Sequence, residues 1–93
     1  NQDKVSMGTI AARDCLRVLE LTEQVAAALL ITVRQGAWLR QRLDPARALP
    51  APLARMLELL GEDVAPVLED RRLDPDLHLL LTRIRGQAWS LYA

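Results

Sequence analysis

The sequence predicts an all-α fold with one very long central helix and two shorter helices, which form part of a larger multi-helix bundle. Leu, Ala and Arg dominate the 93 residues, whereas only four are glycine, which is a helical composition. No stretch shows the alternation of apolar and polar residues that a half-buried strand requires. At this length the chain forms at most one small domain.

The first helix is predicted over residues 9–42, behind a polar loop of residues 1–8. Either Ser6 or Thr9 could cap this helix through its side-chain hydroxyl. The helical pattern then stops at Asp44-Pro45, where proline cannot continue a helix. A helix of more than thirty residues is roughly 50 Å long. Such a helix is too long for a compact domain of 93 residues.

The middle of this helix, Val25–Val33, is apolar around nearly its whole circumference. A helix on the surface of a protein needs an apolar stripe on one face only, so this segment is predicted to be buried on all sides. It is too short to span a bilayer, which takes about 20 residues. Two short helices cannot surround it, so we expect further neighbours from the rest of a longer chain, from other subunits, or from both.

Residues 43–93 are predicted to form the outer helices. Pro50 and Pro52 mark the start of the second helix, Leu53–Leu60, and Gly61 is placed to end it. An irregular connector follows this helix.

The connector ends in a charged run, Glu69–Arg72, which we interpret as a solvated turn. Asp74 is predicted to cap the third helix, with Pro75 at its first position. Apolar residues then recur every three or four positions, so this helix is amphipathic. They are Leu77, Leu80, Leu81, Ile84, Ala88 and Leu91.

Composition argues against several classes of function. Twelve basic and twelve acidic residues balance to a net charge of zero, whereas a nucleic-acid-binding protein normally carries a basic excess. Cys15 is the single cysteine, which excludes an internal disulfide and fits a reducing compartment. His78 is the single histidine, and no carboxylates are spaced as metal ligands, so no metal site is predicted.

The remaining candidate for a site is the opening cluster Asn1-Gln2-Asp3. Because the chain opens on this cluster rather than on Met, we expect a fragment of a longer protein. Asn1 and Gln2 carry neutral amides that both donate and accept hydrogen bonds, which suits the orientation of a polar substrate. The alternative is that the cluster only shapes the loop before the helix.

The opening motif Asn-Gln-Asp-x-Val-Ser-Met-Gly-x-Ile-Ala-Ala-Arg, at residues 1–13, resembles the C-terminal region of the aromatic amino acid ammonia-lyases and the related aminomutases. Residues 69–76, an acidic pair and arginines before a Pro-Asp helix start, resemble the closing segment of that family. The resemblance implies an all-α homotetramer with a core of long helices from several subunits. It also implies non-oxidative elimination of ammonia from an α-amino acid.

The resemblance further implies a methylidene-imidazolone electrophile, formed autocatalytically from an internal Ala-Ser-Gly. That triplet does not occur in this chain, so it is expected upstream, with the base-bearing loop. Gln2 matches the family position beside this group, and Asn1 matches the preceding site position. Histidine-specific members carry Glu where this chain has Gln2. A neutral amide gives no preference for a cationic imidazole, so Gln2 favours phenylalanine or tyrosine.

We therefore interpret the chain as the C-terminal part of a cytoplasmic aromatic amino acid ammonia-lyase or aminomutase, with Gln2 and Asn1 binding the substrate. Its expected partners are the N-terminal part of the same chain, further copies in a homotetramer and an amino acid, and neither nucleic acid nor membrane. Alone, this piece is expected to be inactive. The alternative is a non-enzymatic helical module that oligomerises through its long helix.

Overall fold

The computed structural model describes the backbone of residues 2–89 and the side chains of residues 6–89. Three helices follow one another along this part of the chain: α1 (Gln2–Leu43), α2 (Ala51–Asp63) and α3 (Asp74–Arg85). No strand occurs within the described residues. The predicted all-α class, with one very long helix and two short ones, is confirmed.

The long helix α1 begins earlier than predicted and ends where expected. It is helical from Gln2, so the loop predicted over residues 1–8 was wrong from Gln2 onward, and neither Ser6 nor Thr9 caps the helix. The physical reason is that no proline interrupts this stretch, and the single Gly8 costs only about 1 kcal/mol relative to Ala. At the other end, the Asp44 N–H donates to the Arg40 carbonyl at 2.9 Å and closes the last turn.

The second helix extends past both of its predicted ends, Leu53 and Leu60. Pro50 is the residue preceding the helix, and no side chain caps it. Gly61 does not end the helix and does not have the positive φ of a terminating glycine. A Cβ atom at Gly61 would lie 3.2 Å from a terminal nitrogen of Arg34. The glycine therefore admits the Arg34 side chain from α1, and the predicted stop was wrong.

The third helix starts at the predicted place but in a different way. The residue before it is Leu73, and no side chain caps the helix. The Asp74 carboxylate accepts hydrogen bonds from Arg72 at 3.1 and 2.6 Å instead of capping the backbone. The helix ends at Arg85, so Ala88 lies beyond it, and Leu91 lies outside the described residues.

A small core forms where α2 and α3 pack against the middle of α1. Its members come from all three helices and the start of the connector: Ala27, Ile31, Leu60, Val64 and Leu80. Leu80 and Ala27 are fully buried, and Leu60 is nearly so. The cluster covers one face of α1 only, because two short helices are too few to surround the long one.

The opposite face of α1 is uncovered. Val25, Leu29 and Val33 are 68, 59 and 49% exposed, although they belong to the segment that is apolar on all sides. Every described side chain from Ser6 to Thr22 is exposed as well. The molecule is accordingly elongated, with principal extents of 65 × 34 × 19 Å. Within the described residues, no helix combines the length and the apolar character needed to cross a membrane.

Candidate functional site at the N-terminal end of α1

The two predicted substrate-binding residues lie at the start of α1. Gln2 is the first residue of the helix, and its side chain is outside the described residues. Asn1 lies outside them entirely. The structure therefore places the backbone of Gln2 at a helix N-terminus and leaves the predicted roles of both side chains untested.

This end of α1 stands apart from the rest of the molecule. Among the described side chains of α1, Glu23 is the first that is partly covered, and it accepts a hydrogen bond from Arg85 of α3 at 2.6 Å. Gln2 and Glu23 are 21 positions apart, which corresponds to about 32 Å of helix at 1.5 Å per residue. A separation of this size keeps α2 and α3 from contributing any side chain to the N-terminal end of α1.

A helix N-terminus nevertheless has chemical properties of its own. The first four N–H groups of an α-helix have no partner within it, and the helix dipole places a partial positive charge there. Such an end can bind a carboxylate or another anion. Around it, the nearest described apolar side chains on α1, Met7 and Ile10, are 68 and 57% exposed.

The rest of the described chain forms no second candidate for a catalytic centre. No group of three or more possible metal ligands lies together among the described residues. Cys15 is exposed on the uncovered part of α1. Near the start of α3, hydrogen bonding to Arg72 holds the pKa of the Asp74 carboxyl below its ordinary value of 3.8.

The polar contacts that hold α1 against the rest of the chain were not predicted from the sequence. Gln35 of α1 binds the connector at Val67, and Arg85 of α3 binds Glu23. The charged run interpreted as a solvated turn contains Arg71, which donates to Asp76 at 2.6 Å and to the Ala65 carbonyl at 3.1 Å. The acidic residue Asp76, five positions after Arg71, was a sequence signal for this ion pair. Nothing in the sequence around Gln35 or Val67 indicated that these two residues are in contact.

The chain is similar to known proteins over nearly all of its length. Residues 1–62 match the family model described as aromatic amino acid lyase. The histidine ammonia-lyases of Bos taurus and Rattus norvegicus are 37 and 40% identical over 95 residues, which cover 99% of this chain. The tyrosine ammonia-lyase of Cereibacter sphaeroides is 33% identical over 88 residues, or 95% of the chain.

The chain spans only a small part of these relatives, 14% of the two histidine ammonia-lyases and 17% of the tyrosine ammonia-lyase. No solved structure matches the chain significantly. The family model covers two thirds of the chain, and similarity to the named relatives extends over nearly all of it. The chain belongs to the aromatic amino acid lyase family.

Proposed function

We propose that the chain is the C-terminal portion of a cytoplasmic aromatic amino acid ammonia-lyase. The parent enzyme eliminates ammonia from an L-amino acid and leaves an arylacrylate. The observation that carries the proposal is the similarity to ammonia-lyases over 99% of the chain, combined with a family model that reaches back to residue 1. The single Cys15, exposed and without a disulfide, is compatible with the reducing cytoplasm.

In this proposal the chain contributes one wall of the active site. Gln2, at the N-terminal end of α1, orients the polar groups of the substrate by hydrogen bonding, and Asn1 assists it. Because α2 and α3 lie about 32 Å away along the helix, the remaining walls belong to other parts of the parent protein.

The methylidene-imidazolone group belongs to those other parts, because the chain contains no Ala-Ser-Gly. When present, the group supplies the electrophile that activates the amino acid for loss of ammonia. The uncovered end of α1 leaves space for it, and the neutral amide of Gln2 can donate or accept a hydrogen bond there. The isolated 93-residue chain should therefore release no ammonia from any amino acid.

The partners of the chain in this proposal are the N-terminal part of the same protein and further copies in a homotetramer. The uncovered apolar face of α1 supports this assembly, since Val25 and Leu29 are more than half exposed in the chain alone. Long helices from neighbouring subunits would bury the face that α2 and α3 leave open.

Two kinds of substrate have separate support: phenylalanine or tyrosine, and histidine. The neutral amide at Gln2 favours phenylalanine or tyrosine, which need no negative charge beside the ring. The relatives favour histidine, because the more similar of those reported above are histidine ammonia-lyases. We propose phenylalanine or tyrosine, because Gln2 belongs to this chain itself, and histidine is the second candidate.

The test is kcat/KM of the full-length enzyme for L-phenylalanine, L-tyrosine and L-histidine, with arylacrylate and ammonia both measured. Loss of arylacrylate with formation of a β-amino acid would identify an aminomutase. Gln2→Glu should shift the ratio of kcat/KM values toward histidine by at least about tenfold, or about 1.4 kcal/mol. Gln24→Glu, an exposed position on the same helix, should leave the ratio unchanged.

A wild-type preference for histidine that Gln2→Glu does not alter would contradict the role given to Gln2. The helical-module alternative makes a different prediction for Gln2→Ala. As part of an ammonia-lyase, that variant should lose turnover with its oligomer intact, whereas in a pure oligomerisation module it should change nothing measurable.

A further inference from the structure

A recess lies at the opposite end of α1 from Gln2, where the chain turns into α2. Its volume is about 310 Å³. For comparison, one water molecule occupies about 30 Å³ in the liquid, so the recess has room for a polyatomic ion. Three of its lining residues are polar: Arg40, Gln41 and Arg47. The other five are apolar: Ala37, Ala48, Leu49, Pro50 and Leu53.

The turn after α1 brings the two arginines to the same recess. The Asp44 N–H donates to the Arg40 carbonyl at 2.9 Å, and the Arg47 N–H donates to the Asp44 carbonyl at 3.2 Å. These two backbone bonds reverse the chain within a few residues. The Asp44 side chain does not line the recess, so the nearest carboxylate in sequence is not among its walls.

Neither Arg40 nor Arg47 forms an ion pair within the described part of the chain. Other arginines do so within 4.0 Å of a carboxylate: Arg17, Arg71, Arg72, Arg83 and Arg85. The local charge balance agrees with this difference. Between residues 34 and 55 the only acidic residue is Asp44, against Arg34, Arg40, Arg42, Arg47 and Arg55.

The helix dipoles do not account for this arrangement. The recess lies between the C-terminal end of α1, which is partially negative, and the N-terminal end of α2, which is partially positive, so these two contributions oppose each other. Arg40 lies in the last turn of α1, where a basic side chain interacts favourably with the partial negative charge of the helix end. Arg47 lies beyond the helix and has no such interaction with a helix end. The positive charge of the recess therefore comes from its side chains and not from the helix dipoles.

We propose that this recess binds a phosphate group. Guanidinium groups form paired hydrogen bonds to phosphate oxygens. Arg40 and Arg47 supply two such groups in this recess, and the Gln41 amide supplies a further hydrogen-bond donor. Leu49, Pro50 and Leu53 provide an apolar wall for the organic part of a phosphate ester. The recess is independent of the proposed active site, because Gln2 and Arg40 are about 57 Å apart along α1.

The experiment is calorimetric titration of the full-length protein at fixed ionic strength, with inorganic phosphate in one arm and phenyl phosphate in the other. Saturable binding of either ligand is expected, and stronger binding of phenyl phosphate would identify an organic phosphate as the ligand. Arg47→Gln should weaken binding at least tenfold, and Arg47→Lys should recover part of the loss, since it restores charge without the paired geometry.

The matched control is Arg13→Gln. Like Arg47, Arg13 is exposed and has no ion pair in the described chain. It lies on α1, far from the recess. Its substitution should leave binding unchanged, and circular dichroism should show equal helix content in all variants. Absence of saturable binding in both arms, or equal weakening by Arg13→Gln and Arg47→Gln, would overturn the proposal.

Discussion

The side-chain amide of Gln35 and the backbone of Val67 form two reciprocal hydrogen bonds. Gln35 Nε2 donates to the Val67 carbonyl at 3.0 Å, and the Val67 N–H donates to Gln35 Oε1 at 2.8 Å. Both bonds are partly buried and join residues 32 positions apart. They attach the connector between α2 and α3 to the long helix, three residues after the buried Val64.

Removal of this amide should destabilise the packing of α1 against the connector. Gln35→Ala deletes two partly buried hydrogen bonds, so we expect a loss of about 1–3 kcal/mol in the free energy of unfolding. Gln35→Glu should also destabilise, because its carboxylate accepts from the Val67 N–H but repels the Val67 carbonyl. Urea denaturation of the chain measures both.

Gln24→Ala is the matched control for this pair, since Gln24 is exposed on the same helix. Its effect should stay within about 0.5 kcal/mol, as is usual for surface substitutions. Equal stability of Gln24→Ala and Gln35→Ala would show that the two hydrogen bonds contribute no net stability.

The core depends on Leu80 of α3, which is 0% exposed. Leu80→Ala should cost about 2–5 kcal/mol, because the small cluster has few neighbours that can collapse into the cavity left behind. Leu53→Ala is the control, since Leu53 is 56% exposed and should change stability far less. Thermal unfolding followed by circular dichroism compares them, and similar melting temperatures would contradict the core as described.

The uncovered face of α1 should make the isolated chain self-associate. Val25, Leu29 and Val33 expose apolar surface on adjacent turns, and burial of such surface is favourable by about 25 cal/mol per Å². Val25→Lys should weaken the association, whereas Gln24→Lys adds the same charge at a position that is already polar and should weaken it less. Light scattering over a dilution series measures this, and a wild-type monomer throughout would contradict the expectation.

The Asp74–Arg72 pair should make the start of α3 sensitive to acid. The pKa of the Asp74 carboxyl is lowered from 3.8 mainly by its hydrogen bond to Arg72. A carboxyl with a lowered pKa in the folded state stabilises that state above its unfolded pKa. The contribution is therefore complete above about pH 3.8 and is lost as the pH falls through the folded value.

NMR titration of the Asp74 carboxyl carbon checks this shift. Arg72→Gln should raise the pKa of Asp74 toward 3.8. Arg55→Gln should not, because Arg55 is exposed and has no ion pair in the described part of the chain. An Asp74 pKa that stays low in Arg72→Gln would assign the shift to another cause, such as the backbone N–H of Asp74 or the charge of His78.

Much of the fold could be predicted from neighbouring residues. The stop at Asp44-Pro45 and the start at Asp74-Pro75 follow from proline, which lacks an N–H and has a restricted φ. The start of α1 at Gln2 and the end of α2 at Asp63 could not be predicted in the same way. A lone glycine such as Gly61 only weakens a helix, and contacts from α1 decide whether the helix continues through it.

The candidate site was harder to predict from the sequence than the fold. The motif at residues 1–13 indicates the family, and the family model and the named relatives confirm it. The substrate is a different matter, because in the proposed enzyme Gln2 would act only together with groups from other parts of the parent protein. The choice between phenylalanine, tyrosine and histidine therefore stays a prediction.

The sequence by itself determined the helical class, the number of helices and the family, because helix-forming composition, proline positions and a contiguous motif are local properties of the chain. Only the tertiary structure decided which face of α1 is covered. Val25–Val33 is apolar on every side, so no periodicity distinguishes the buried Ala27 and Ile31 from the exposed Val25 and Leu29. That choice, like the two hydrogen bonds between Gln35 and Val67, depends on which distant segments of the chain pack against the helix, and the local sequence pattern does not show it.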